Sequence, residues 1–209
     1  MSETNLQSKK EQDIHSISSK ETLYTRDIDS NDQGIINIIS MLLTNICEDN
    51  NNNKIQNEIT KCFESETQPF ISIEDYITRL YNFSKSNEST IIASLIYIDR
   101  FCQNNNFILT KYNIYKLILT SFVVAMKYNE DFIYSMDIFS KIGGLSLSEL
   151  KKLELKFLFM IQFDLYITKE LYENYYNNLM DLSSETEEIE ESEENEDIIS
   201  VKIKLNSLN

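Results

Sequence analysis

The sequence predicts an all-α fold, and three observations predict it. Only three Gly and one Pro are spread over 209 residues, too few breakers for the many turns of a β-sandwich or barrel. Successive segments repeat apolar residues every three or four positions, the spacing of one helix face. The polar connections between them run to roughly 3–8 residues, the length that joins neighbouring helices in a bundle. Hydrophobic residues make up 42% of the chain, enough for a packed core.

The elements follow in order. Residues 1–30 are polar and aperiodic, and a disordered N-terminal arm is expected there. A flanking helical segment is expected over 31–68. Its helix, from Gln33 to Cys47, places Ile35, Ile39, Leu42, Leu43 and Ile46 on one stripe, with Asn31 or Asp32 able to cap the open N–H groups. Asn50 to Asn53 is a low-complexity break. After Pro69, Ser72 offers a capping hydroxyl and Glu74 and Asp75 offer first-turn carboxylates that complement the dipole. That helix, with Ile73, Tyr76, Ile77 and Leu80 on its core face, is expected to run to about Phe83.

A helix from near Glu88 to Gln103 aligns Ile91, Leu95, Ile98 and Cys102 and is apolar on more than one face. The next, from about Tyr112 to Tyr128, carries Ile114, Leu117, Ile118, Phe122, Val124 and Ala125. It reads as the central helix of a bundle, surrounded by others. A short helix from Tyr134 to Lys141 stops at Gly143 and Gly144, where positive φ is permitted. Ser146 and Glu149 form a capping box for the stripe Leu150, Leu153, Phe157, Leu158 and Ile161. A last amphipathic run, Lys169 to Met180, carries Leu171, Tyr172, Tyr175, Tyr176 and Leu179.

Charge divides the chain further. The net charge is −15 and the pI about 4.5. Residues 71–166 balance 10 basic against 10 acidic groups, so the excess lies in the flanks. From Glu185 to Asp197, nine of thirteen residues are Asp or Glu and none is basic. Such a block repels itself, and 181–209 reads as an acidic, mostly disordered tail. Beyond it Ile199, Val201, Ile203 and Leu205 alternate, which fits one strand or none.

Several function classes lack raw material. An acidic chain repels phosphate backbones and anionic lipid, so neither nucleic acid nor membrane is expected as a partner. His15 is the sole histidine and lies in the N-terminal arm, leaving little for imidazole catalysis or metal binding. The two central Gly are adjacent and form no phosphate-binding loop. Glu130 and Asp131 read as solvated groups at a helix end and not as a catalytic dyad. No enzyme activity and no cofactor are expected. Cys47, Cys62 and Cys102 are odd in number and widely spaced, which fits a reducing interior, in cytoplasm or nucleus. The polar N-terminus lacks an apolar signal core, and no stretch approaches the roughly 18 apolar residues of a membrane span.

Two charges stand in awkward places. Helical spacing puts Glu154 at the edge of the stripe formed by Leu150, Phe157, Leu158 and Ile161, where a lone carboxylate is costly. Lys127 ends the central helix after the uncharged run Ser121 to Met126. Singly, each reads as a surface charge or a dipole partner. Together they suggest an interface whose polar centre fixes register while Leu and Phe supply burial.

Several short motifs in series carry a resemblance. These are Ile73-Glu-Asp-Tyr-Ile-Thr-Arg-Leu80, Tyr97-Ile-Asp-Arg-Phe101, Ala125-Met-Lys-Tyr-Asn-Glu-Asp131, Gly143-Gly-Leu-Ser146, and Leu153-Glu-Leu155 through Phe163-Asp-Leu165. In this order they resemble a single cyclin box, and in particular the P-type and U-type cyclins related to fungal phosphate-signalling cyclins. The resemblance covers about residues 69–180, the box and a following helix. It implies a five-helix bundle around a central third helix, with flanking N- and C-terminal helices.

It further implies a regulatory subunit that forms a heterodimer with a cyclin-dependent protein kinase and stabilises its active C-helix conformation. By the same resemblance Lys127 and Glu154 contact the kinase, and Leu158, Phe163 and Leu165 pack on its C helix. A scaffold of the same fold that activates no kinase, and the DNA-touching cyclin-like fold of transcription initiation factors, are the other readings. The neutral box and acidic flanks disfavour the latter. The sequence also departs from the family. Where many cell-cycle cyclins carry an M-R-A-I-L substrate patch, this chain reads Pro69-Phe70-Ile71-Ser72-Ile73, with Phe70 in place of the Arg. That Arg neutralises the Asp of the Y-I-D-R motif in the family pattern, so Asp99 needs another partner, and Arg79 is the expected one.

Overall fold

The computed structural model describes residues 30–50 and 60–190, with side chains over 32–50 and 60–182. The N-terminal arm up to residue 29, most of the Asn50 to Asn53 break, the acidic residues from Glu191 and the alternating end from Ile198 lie outside the described residues. Among those described the secondary structure is wholly helical: α1 (Ser30–Asp49), a 3-10 turn (Lys61–Phe63), α2 (Ile73–Ser84), α3 (Glu88–Asn105), α4 (Ile114–Asn129), α5 (Met136–Gly143), α6 (Leu147–Met160) and α7 (Lys169–Glu190).

The centre of the molecule is α4, as its unbroken apolar run predicts. Every residue from Ile114 to Met126 except Lys116 is buried, and the helix packs against α2, α3, α5 and α6. An aromatic cluster closes one end of the core. Phe101 of α3 stacks on Phe157 of α6 at 5.2 Å, and Phe63 of the 3-10 turn meets the edge of Phe101 at 4.9 Å. Outside this bundle α1 lies against α2, α3 and α7, and α7 also reaches α3.

Helix ends follow local chemistry. Ser72 Oγ accepts from Asp75 N at 3.0 Å, and Ser146 Oγ accepts from Glu149 N at 3.1 Å, so both predicted caps form. The Glu149 carboxylate does not complete a reciprocal box. It pairs instead with Lys116 of α4 at 2.9 Å. Gly144 takes a φ of 73° and ends α5. Gly143 serves differently, as the last helical residue of α5, set against the Leu119 side chain.

The carboxylate of Glu130 caps a neighbouring helix. It accepts from Asn87 N at 3.0 Å, Asn87 Nδ2 at 2.9 Å and Thr90 Oγ1 at 2.6 Å, tying the end of α4 to the start of α3. A negative charge there also complements the α3 dipole.

The last helix runs to Glu190, beyond Met180, and so takes in the start of the segment read as an acidic tail. Nothing after Met180 stops it, since no Gly or Pro follows. Among the described residues no helix is long and apolar enough to cross a membrane.

Candidate functional site

Lys127 and Glu154 meet. The last turn of α4 presents the ammonium group, the middle of α6 presents the carboxylate, and Lys127 Nζ donates to Glu154 Oε1. Their side chains are 37% and 15% exposed, so the pair sits at the surface with its acid more enclosed than its base. The ion pair supplies what the stripe edge requires, a counter-charge for a carboxylate set beside apolar neighbours.

The apolar residues nearby divide into two groups. Leu158 and Leu165 are partly buried and pack onto the core. Phe163 is 53% exposed, and Phe159, one turn before it, is 64% exposed; their rings meet edge to face at 5.2 Å. Leu155 and Tyr128, the residues directly after Glu154 and Lys127, are also exposed. An ion pair with exposed Leu and Tyr next to it in sequence, and exposed Phe side chains at the end of α6, is suited to burying a partner's apolar surface while offering it two charges for registration.

The loop that carries Phe163 and Leu165 is held in an uncommon backbone conformation. Gln162 and Phe163 both adopt the left-handed region, with φ of 57° and 56°. Such residues each cost about 1 kcal/mol or more and persist only where their surroundings hold them. Here α3 does so. Tyr97 Oη donates to Leu165 O at 2.8 Å. Arg100 donates through Nη1 to Asp164 O at 2.7 Å and through Nη2 to Tyr166 O at 2.9 Å, and its Nη1 lies 3.4 Å from Asp164 Oδ1. Within the loop, Phe163 N returns to Leu158 O at 2.8 Å. Two residues of the Tyr97-Ile-Asp-Arg motif therefore fix where Phe163 points. Burial holds the Tyr97 phenol well above its ordinary range, outweighing the neighbouring Arg100 charge, so it stays a donor.

The third polar residue of that motif departs from the sequence expectation. Asp99 is not paired with Arg79. Its Oδ2 accepts from Tyr175 Oη at 2.5 Å and from Gln103 Nε2 at 2.8 Å. Gln103 lies one turn along α3 and Tyr175 comes from α7, so the charge is satisfied by neutral donors. Phe70, which stands at the Arg position of the family patch, is fully exposed.

Sequence reasoning singled out Lys127, Glu154, Leu158, Phe163 and Leu165 and missed Tyr97, Arg100, Leu155 and Phe159 as contributors to the same face. Apolar residues four apart at 155 and 159, on the side of α6 opposite its stripe of Leu150, Leu153 and Phe157, were the available signal. Among the described residues no group of three His, Cys, Asp or Glu side chains is arranged to hold a metal ion.

Comparison with known proteins places this architecture. The cyclin family model matches residues 7–165, so it takes in α1, which the motifs alone had left outside, and ends at Leu165, before α7. Cyclin-U2-1 of Arabidopsis thaliana is 37% identical over 117 residues, covering 56% of this chain and 53% of that protein. Cyclin-U4-3 of the same plant is 34% identical over 142 residues, 68% of this chain and 64% of the relative. Cyclin-P4-1 of Oryza sativa subsp. japonica is 31% identical over 148 residues, 68% and 70% respectively. The chain thus spans little more than half of the U2-type relative and about two thirds of the others. With a family match over most of its length and an all-helical bundle built around α4, the chain belongs to the cyclin family and is similar to its U and P types.

Proposed function

We propose that the chain is the regulatory subunit of a cyclin-dependent protein kinase, which it binds as a heterodimer through Lys127, Glu154, Leu158, Phe163 and Leu165. The observation that carries this reading is the Lys127–Glu154 pair joining α4 and α6, with exposed apolar side chains on the same two helices, in a chain of the cyclin family.

The mechanism is a population shift. The kinase C helix exchanges between an outward conformer and an inward one, in which its Glu pairs with the Lys that holds ATP phosphates. A face that binds only the inward conformer draws the equilibrium toward it. Inverting a 99:1 resting ratio takes a differential affinity of about 5.5 kcal/mol, within reach of an interface above about 1,000 Å² with a few well-buried anchors. Phe163 supplies such an anchor, because its strapped loop loses little entropy on binding. In the free chain Lys127 and Glu154 satisfy each other, and in the complex each takes a further partner from the kinase.

The test is binding and activation of purified cyclin-dependent kinases by the wild-type chain and by Lys127→Glu, Glu154→Lys and the doubly reversed variant. Each single reversal is expected to weaken binding by about 2 kcal/mol, the lower end for a charge in such an interface because Lys127 remains more than a third exposed. The double variant restores the internal pair and the fold but not the affinity. Unchanged affinity in both single variants rejects the assignment, and a kinase that is bound yet stays inactive identifies a scaffold.

A further inference from the structure

We infer that the outer face of α6 recognises an acidic surface on the bound kinase, and that Lys151, Lys152 and Lys156 read it. This rests on the kinase reading above and adds the chemistry of the partner.

Five charges lie along α6: Glu149, Lys151, Lys152, Glu154 and Lys156. Both acids are already taken by cations of α4, Glu149 by Lys116 at 2.9 Å and Glu154 by Lys127. Among the described residues none of the three lysines of α6 is in an ion pair. The helix therefore presents three outstanding positive charges, although the chain as a whole carries −15.

Their placement is specific. At about 100° per residue, Leu155 and Phe159 project near the middle of the outward face, with Lys151 on one flank and Lys152 and Lys156 on the other. Leu155 is 56% and Phe159 64% exposed. The edge contact between Phe159 and Phe163 makes this ridge continuous with the proposed kinase face.

Uncovered apolar side chains fenced by lysines fit an occupant with carboxylates on either side of an apolar strip. The chain's net charge of −15 does not prevent this. Fields are screened over about 8 Å at physiological ionic strength, so a contact is governed by the local lysines and not by the net charge. Phosphate backbones fit poorly, because they offer the ridge nothing apolar.

The experiment measures association and dissociation rates of the full chain with a panel of purified cyclin-dependent kinases at low and high salt. It compares wild type with the triple Lys→Gln variant of residues 151, 152 and 156, and circular dichroism checks that helicity is kept. Wild-type association is expected to slow with added salt. The variant is expected to lose about tenfold in association rate at low salt and most of that salt dependence. Equal rates and equal salt profiles overturn the inference while leaving the kinase reading in place. Faster binding by the variant overturns it by showing that the chain's own acidic segment, Glu185 to Asp197, covers the face. Self-association of the wild type that the variant lacks, seen in sedimentation, overturns it in favour of a second copy. Wild type that binds no kinase removes both readings together.

Discussion

Tyr175 donates its phenolic hydroxyl to Asp99 Oδ2 at 2.5 Å, and this bond fixes the last helix to the motif in α3 from which the loop of Phe163 is strapped. Asp99 and Arg100 are neighbours with opposite duties. Asp99 anchors α7, and Arg100, one residue on, anchors the loop of Phe163. The acid needs no guanidinium partner, because a phenol and an amide satisfy it.

Removing the Tyr175 hydroxyl leaves the ring packed but takes away the shorter of the two donors to Asp99. Tyr175→Phe is expected to lower stability by about 1.5–3 kcal/mol, the range for a hydrogen bond to a charged acceptor. Urea denaturation checks it. Adding Asp99→Asn to the variant should then cost less than it does in the wild type, since the two groups act as a pair. A Tyr175→Phe chain as stable as its parent contradicts this account.

Arg100 spans two carbonyl oxygens with a planar fork that an ammonium group cannot reproduce. Arg100→Lys is expected to retain the helical far-ultraviolet spectrum and to weaken kinase binding about tenfold, by releasing Phe163 from its fixed position. The loss should appear mainly in the dissociation rate, and proteolysis within 161–168 should quicken. An unchanged dissociation rate would show that the loop keeps its shape without the fork.

How much of this was legible in the sequence depends on the range of each interaction. The burial of α4 and the capping hydroxyls of Ser72 and Ser146 are local, written within one or two turns, and they could be read directly. Lys127 and Glu154 were each visible as a charge in an apolar setting, but that they meet is a property of how α4 crosses α6. Tyr97 and Arg100 stood out as part of a motif, but their strap could not be read, because its acceptors are backbone carbonyls that any residue supplies. The left-handed backbone at Gln162 and Phe163 was hidden for a related reason, since no Gly or Asn announces it. Arg79 was expected beside Asp99 because the family pattern pairs this acid with an Arg that is Phe70 here, whereas a Tyr in an amphipathic stripe reads simply as core.

Gly143 is required by Leu119. A Cβ built at position 143 would lie 2.2 Å from Leu119 Cδ2 and 2.9 Å from Cδ1, and Leu119 is fully buried. The Leu119 side chain would have to shift within the core, so Gly143→Ala is expected to destabilise by about 1–3 kcal/mol through overpacking. Gly144→Ala meets no atom within 4 Å and pays only for its φ of 73°, about 1 kcal/mol. Thermal denaturation of the two single variants should therefore rank Gly143→Ala below Gly144→Ala. The reverse order would mean that α5 can shift away from α4.

Alkaline pH tests the buried phenols and thiols as a set. Burial is the first cause that raises Tyr76, Tyr97, Tyr115, Tyr172 and Tyr175, with Tyr172 pushed up to about 12. It likewise raises Cys102, and it pushes Cys47 up to about 12. In the unfolded chain these groups lose their protons from roughly pH 8.5–10, while the folded chain still holds them. The folded state then binds more protons than the unfolded state, so stability declines as pH rises through this window, and it is fully present below it. The urea midpoint is expected to stay flat from about pH 7 to 8 and to fall progressively above about pH 9. Phenolate absorbance should lag behind that of free tyrosine until the chain unfolds, then rise in one step. A midpoint that holds constant, or climbs, across that alkaline range would mean that these groups ionise as readily inside the fold as outside it.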